Sequence, residues 1–464
     1  MDYAVVESLK LINNIFKNNE TSIWLVGGCI RDLVMGKIPK DYDLATDAYP
    51  GKILEICQNN NIAAYETGIK YGTVTLIINN IPFEITTFRK DSVTSDGRRP
   101  DYVEFSDNIL DDLARRDFRM NAMALYLNDY LERNFTKDLI IDPYGGLEDI
   151  QNEEINCVGN PMDRFNEDAL RMMRAIRFST KYNFSIGKET LDALYKSHNK
   201  LINVSTERIT SEFNQILLNF NLTVNDLYDE KYLSKWRLTN FIIKKVIPEM
   251  YLLSEVTHNN SYHLYDVYTH SLLVCAGVRT NNIAVKLAAL LHDAGKIYTE
   301  SVDNEKLTKH FYNHAKESVS ISQKKKERMR YSNDELETVL KLIQYHDTEL
   351  QNNKKSIKRL LNKVGEDLFE DLLDIKISDR LNHVGMNVSD DEKFNIMMTY
   401  KEILYNEEVF SIKDLAITGD DLIDLGYSPS PLFSEILNDC VELCIKKPEC
   451  NTKECLLEYV YEKY

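Results

Sequence analysis

The sequence changes character once, near Asp149. Before it, short apolar runs rich in β-branched residues alternate with turn residues. After it come long stretches of helical periodicity with few glycines. That asymmetry sets the fold class as α+β, a mixed sheet-and-helix head followed in series by all-helical units. A chain of 464 residues exceeds one ordinary core, so about two to four packed units are expected.

Within the head, Ile23-Trp24-Leu25-Val26 predicts a short buried strand that ends in a tight turn at Gly27-Gly28. Residues 73–78 and 81–88, separated by Asn79-Asn80, predict a β-hairpin. Helices are expected over 166–182, 205–220, 266–278, 283–292, 315–329 and 333–346, with boundaries near Pro248 and the Asn-rich stretch 257–261. No internal repeat interrupts this order.

Gly28 opens Gly28-Cys29-Ile30-Arg31-Asp32, and Asp41-Tyr42-Asp43 follows. Glycines after a strand let the backbone approach phosphate oxygens, and a helix starting there adds its N-terminal dipole. On a strand, Asp41 and Asp43 would point to one side and converge on a pair of Mg²⁺ ions beside a nucleoside triphosphate. Glu84, inside the apolar strand Phe83-Glu84-Ile85, is the candidate third carboxylate. An outward-facing glutamate on an amphipathic strand is the alternative. Taken singly, a Gly-Gly turn or an Asp-x-Asp pair is commonplace. Their order and separation carry the reading.

The formal charge of −17 argues against nucleic-acid binding through the whole surface. An RNA partner would need a local basic strip, and Arg115, Arg116 and Arg119, then Arg164, Arg171, Arg174, Arg177 and Lys181, supply two. Lys324 to Arg330 fits a solvated helix face. The eight cysteines include no Cys-x-x-Cys pair, so reduced, scattered thiols are expected, the cluster Cys440, Cys444, Cys450 and Cys455 included. No apolar run is long enough to span a membrane, and the N-terminus lacks the layout of a secretory signal, so the protein is expected in the cytoplasm.

At this point the residues resemble a known family, the class II tRNA nucleotidyltransferases and bacterial poly(A) polymerases, most closely the CCA-adding enzymes with an HD domain. Five motifs carry the resemblance: Gly27-Gly28-Cys29-Ile30-Arg31-Asp32 with Asp41-Tyr42-Asp43; Arg115-Arg116-Asp117-Phe118-Arg119-Met120-Asn121-Ala122; Asp142 to Asp149; Glu167 to Arg174; and Glu207 through Glu212. Arg119 departs from the family's usual threonine. The resemblance implies a polymerase-β-like nucleotidyltransferase head over 1–150, a helical neck over 151–245, an HD domain over 246–390 and a helical tail over 391–464. It implies CTP and ATP as substrates and the tRNA 3′ end as acceptor, with Mg²⁺ on Asp41 and Asp43 and assistance from Glu84. Gly27, Gly28 and Arg31 would hold the triphosphate; Arg116, Asp117 and Asn121 the sugar; Asp168 and Arg171 the base, with Arg174 beside them. Asp142 to Asp149 would be a hinge, and the polar stretch from Phe88 to Phe105 a mobile loop tied to A addition. A poly(A) polymerase or an enzyme adding only the terminal A shares these motifs.

Asp168 and Arg171 also have a reading of their own. With Asn166 as N-cap they fall at i, i+3 on one helix face and offer an acceptor and a donor fork to a base edge. A surface ion pair is the alternative.

A second constellation comprises His270, His292-Asp293, His314, His346 and Asp379, in the order of an HD phosphohydrolase. It implies a divalent metal of unspecified identity, with His314 and His346 open to a second ion and 2′,3′-cyclic phosphates among the substrates. His263 and His310 either assist or pack. A reading of another class makes the HD unit the working enzyme and the head an RNA-binding module. Ile417 to Gly426 resembles the family's C-terminal segment, where Gly and Asp read as helix caps.

Overall fold

The structure, a computed structural model, describes residues 3–91, 103–133, 135–220, 243, 246–257, 265–303, 308–382 and 390–464. Most of the loop expected between Phe88 and Phe105, and His263, lie outside the described residues. The chain divides into two compact units, Met1–Ile216 and Leu217–Tyr464.

The first unit opens with α1 (Tyr3–Lys17), β1 (Ile23–Val26), α2 (Gly28–Val34), β2 (Leu44–Thr46), α3 (Pro50–Asn59), β3 (Ala63–Gly68), β4 (Thr73–Ile78) and β5 (Ile81–Thr87). It continues with β6 (Arg89–Asp91), β7 (Val103–Phe105), α4 (Ile109–Ala114), β8 (Ala124–Tyr126), α5 (Leu127–Glu132), β9 (Ile140–Ile141) and α6 (Gly146–Gln151). Seven strands form one mixed sheet in the order β3-β4-β5-β2-β1-β8-β9, with only β2 and β5 parallel.

The predicted hairpin forms: Ile78 pairs with Ile81, and Asn79 and Asn80 sit at φ 54 and 61. Two successive left-handed residues match the right-handed twist of the strands, a conformation that asparagine tolerates well. Side-chain alternation then splits the core in two. Leu25, Leu44, Val74, Phe83 and Ile85 pack with α1 and α3 residues on one face. Val26, Ala45 and Ala124 face the other way with Phe88, Ile109 and Leu113. Burial on both faces leaves the ends of the central strands as the place for chemistry.

Beyond the sheet lie β10 (Glu154–Ile155), α7 (Pro161–Glu167), α8 (Leu170–Tyr182), β11 (Ser185–Ile186), α9 (Lys188–Ser197) and α10 (Thr206–Leu218). The single helix expected over 166–182 is two. Asn160, not Asn166, caps α7, accepting from the Met162 N–H with Pro161 in the first turn. At Asp168 the backbone swings to an extended conformation, and its carboxylate accepts from the Leu170 N–H to begin α8. Asp168 and Arg171 therefore do not share one continuous helix.

In the second unit the expected helices appear as Val267–Gly277, Ile283–Leu291, His314–Met329 and Asn333–Tyr345, joined by Glu366–Leu381. Lys286 is fully buried and donates to the carbonyls of Cys275 and Phe220, which compensates its lost hydration. The C-terminal helices Pro431–Lys446 and Lys453–Lys463 share a separate core that includes Cys440 and Cys444. Thr418 and Asp421 form a capping box, and Gly426 follows that helix at φ 93, as expected of caps. No helix among the described residues is long and apolar enough to cross a membrane.

One glycine tests the packing of the head. A Cβ on Gly146 would lie 2.3 Å from the Arg119 carbonyl oxygen. Gly146→Ala should destabilise the first unit by about 1–3 kcal/mol, read by chemical denaturation. Gly51→Ala in α3, where a Cβ meets open space, should be neutral or slightly stabilising.

Candidate functional sites

β1 ends at Val26, Gly27 at a φ of 75 turns the chain into α2, and antiparallel β2 begins alongside. Asp41 and Asp43 stand in the extended lead-in to β2, not in the strand itself. The Val26 N–H donates to the Asp43 carbonyl at 3.0 Å and holds this lead-in beside β1. A Cβ on Gly27 would stand 2.6 Å from Nη1 of Arg116 and 3.8 Å from Oδ2 of Asp43. A guanidinium and a carboxylate thus both border the space left open over Gly27. Asp43 still reaches solvent, yet desolvation in the cleft raises its carboxyl above the ordinary value. Arg116 opposes that rise and neighbouring Asp41 adds to it. Two carboxylates that disfavour each other's charge fit a divalent cation between them. Glu84 is exposed, one residue before Ile85, which pairs with Leu44, so it stands level with Asp43 on the adjacent strand.

Behind this rim is a buried polar network. Asp117 accepts from Arg174 Nε at 2.8 Å, from Asn121 Nδ2 at 3.1 Å and from the Phe118 N–H at 2.8 Å. Burial would raise its carboxyl, but Arg174 and Asn121 overcome that and hold it at about 2. Arg31 is also buried: Nη1 donates to Asn121 Oδ1 at 2.7 Å, and the guanidinium lies 4.7 Å from the Tyr182 ring centre. It braces the expected sugar-binding asparagine from beneath. Arg174 and Arg177 both reach Glu212 of α10. Asp168 is held by Arg208 at 2.6 Å, and Arg171 by Glu167 at 2.7 Å and by the Arg115 carbonyl at 3.0 Å. Asp168 and Arg171 are thus each engaged with a different partner.

Asp112 escaped the sequence reading. It is fully buried and accepts from both Arg115 and Arg116, three and four residues ahead on the chain. That spacing was the available signal. Arg119, the departure from the family pattern, lies 3.9 Å from Asp149, whose carboxyl burial pushes up to about 6. In the segment expected to be a hinge, Asp142 accepts from the Gly146 and Leu147 N–H groups and so caps α6.

All six residues of the second constellation converge. Asp293, 2 % exposed, is shared: Oδ2 faces His292 at 3.3 Å and His270 at 3.8 Å, and Oδ1 faces His314 at 3.3 Å and His346 at 3.8 Å. Asp379 closes the cluster 2.9 Å from His270 Nε2. Two donor triads, His270-His292-Asp293 and Asp293-His314-His346, therefore share one carboxylate. The Nδ1 atoms of His292, His314 and His346 each lie 2.7–2.9 Å from a carbonyl three residues earlier. That contact turns each Nε2 inward towards Asp293, as a donor set for metal requires. Burial and adjacent His292 push His346 down to about 3, so it is neutral and able to ligate. The buried Nε2 of His292 has no aligned hydrogen bond. These features fit one or two divalent ions. Lys296, unnoticed in the sequence, donates to Asp293 at 2.7 Å. His310 stacks on Tyr312 in a small hairpin.

Three family models match the chain: the poly A polymerase head domain over residues 23–156, a probable RNA- and SrmB-binding site of polymerase A over 183–224, and the HD domain over 260–382. A CCA-adding enzyme of Enterococcus faecalis is 43% identical over 198 residues, 43% of this chain and 46% of that protein. One of Anoxybacillus flavithermus is 40% identical over 212 residues, 46% of this chain and 50% of that one. The chain spans about half the length of the curated relatives it matches. Among solved structures, the Bacillus stearothermophilus CCA-adding enzyme in complex with CTP superposes with TM-score 0.70 at 22% identity, covering 100% of this chain and 98% of that one. The Thermotoga maritima CCA-adding enzyme complexed with tRNA superposes with TM-score 0.58 at 17% identity, covering 100% and 96%. At those identities the superpositions establish the fold.

Two measurements follow from the geometry. Because Asp117 is held at about 2, below its ordinary 3.8, its stabilisation is complete above pH 4 and fades as pH falls towards 2. Asp117→Asn should cost ~2 kcal/mol at neutral pH, and the gap to wild type should close between about pH 4 and pH 2. At the HD cluster, Asp293→Asn should lose all tightly held metal and His346→Ala about half, by elemental analysis after gel filtration.

Proposed function

We propose that this chain, a poly A polymerase head joined to an HD domain, adds CCA to the 3′ end of tRNA from CTP and ATP without a nucleic-acid template. The observation that carries the reading is the meeting of Asp43 and Arg116 over Gly27 at the end of the central strands. In the reaction the RNA 3′-oxygen attacks the α-phosphorus, the bond to the bridging oxygen breaks, and pyrophosphate leaves. Asp41 and Asp43, with Glu84 level on the next strand, would hold Mg²⁺, which would supply charge neutralisation and a lowered pKa of the attacking hydroxyl. Gly27 and Gly28 leave room for the triphosphate, and Arg116 meets its charge. Asn121, fixed by Arg31 and Asp117, faces the sugar. Asp168 and Arg171 present an acceptor and a donor to the base edge, each oriented by its own partner rather than by the other. The head, neck and HD segments over 1–150, 151–245 and 246–390 then divide the work as chemistry, base selection with RNA binding, and phosphoester hydrolysis, followed by the helical tail over 391–464. The shared Asp293 supports HD phosphohydrolase competence.

The test is incorporation of each nucleotide into tRNA lacking CCA. CTP alone should extend the RNA by C residues, and CTP with ATP should complete CCA. Incorporation of ATP alone would instead indicate a poly(A) or A-adding enzyme. Asp43→Ala should lower kcat on the order of 10³-fold and leave hydrolysis of 2′,3′-cyclic phosphates untouched. Asp293→Asn should do the reverse. Nucleotide transfer that survives Asp43→Ala would overturn the reading.

A further inference from the structure

Asp112 has no exposed surface, yet it carries a charge that two guanidinium groups share. Arg115 donates to Oδ1 from Nε at 2.9 Å and from Nη2 at 2.6 Å. Arg116 donates to Oδ2 from Nε at 3.3 Å and from Nη2 at 2.9 Å. With two nitrogens anchored, the Arg116 fork is fixed in its plane, and Nη1 is the end left to act elsewhere. That end lies against Gly27, 2.6 Å from where a Cβ would be, with the Asn121 carbonyl 3.5 Å away. A long arginine side chain has many rotamers, and the one held here puts a cation over the glycine turn.

We infer that Asp112 is a positioning residue for nucleotidyl transfer: by gripping Arg116 Nε and Nη2 it aims Nη1 across Gly27 at the triphosphate beside Asp43. This rests on the reading of the head as a nucleotidyltransferase. A buried ion pair that only stabilised α4 would affect folding and leave nucleotide affinity in the folded enzyme alone.

The test is a double-mutant cycle on the full chain, measuring kcat and KM for CTP and KM for tRNA lacking CCA. Asp112→Asn should raise the CTP KM about tenfold, with a smaller change in kcat and none in the KM for RNA. Arg116→Ala should do the same or more, and the double variant should be no worse than Arg116→Ala within about twofold. Arg116→Lys keeps the charge, loses the two-nitrogen grip and leaves Arg115 on Asp112, so it remains informative if Asp112→Asn fails to fold. It should be as impaired as Arg116→Ala. Additive effects in the cycle, or a wild-type CTP KM in Arg116→Lys, would overturn the role of Asp112 alone. A wild-type chain that incorporates no nucleotide would overturn the nucleotidyltransferase reading and this inference with it.

Discussion

The contact on which the first unit depends is the buried pairing of Asp117 with Arg174. It ties a loop after α4 to the middle of α8, and each further member of the network hangs from one of its two partners. Asn121 is oriented by Asp117 and in turn receives Arg31; Arg174 continues to Glu212 of α10. Burying this much charge is tolerable only because nearly every member has a partner of opposite sign or a hydrogen bond. The chain's acidic excess is therefore no guide to the interior of this unit, where arginines crowd together over Phe178 and Tyr182.

What could be read from the sequence follows from the range of the forces involved. The strand 23–26, the Asn79-Asn80 hairpin and the helices of the second unit rest on local periodicity and turn chemistry, and they appear almost where expected. The second constellation was legible because six histidines and aspartates, residue types that bind metals, fall in a fixed order. The break at Asp168 was not. Continuous apolar spacing from Phe165 to Phe178 reads as one helix, and only the capping of the Leu170 N–H by Asp168 reveals two. Placing Asp41 and Asp43 inside a strand likewise overlooked that the ladder starts one residue later, at Leu44.

The partners of charged side chains were the least legible feature. The resemblance implied a triphosphate role for Arg31, and no local pattern revealed that its guanidinium donates to Asn121. Asp112 drew no reading from the sequence. Its burial depends on how α4 packs against Ala124 and Phe88, which no local pattern encodes.

The imidazoles of the second unit hold one more consequence. His292 and His346 each sit at the C-terminal end of a helix and bond a carbonyl of its last turn, a group that would otherwise lack a partner. The contact that finishes the helix is thus the one that selects which ring nitrogen faces Asp293. Fraying of that turn and turning of the imidazole away from Asp293 would be a single event. Substitutions on the exposed side of the helix Asn333–Tyr345 would then act on the orientation of His346 without touching its ring.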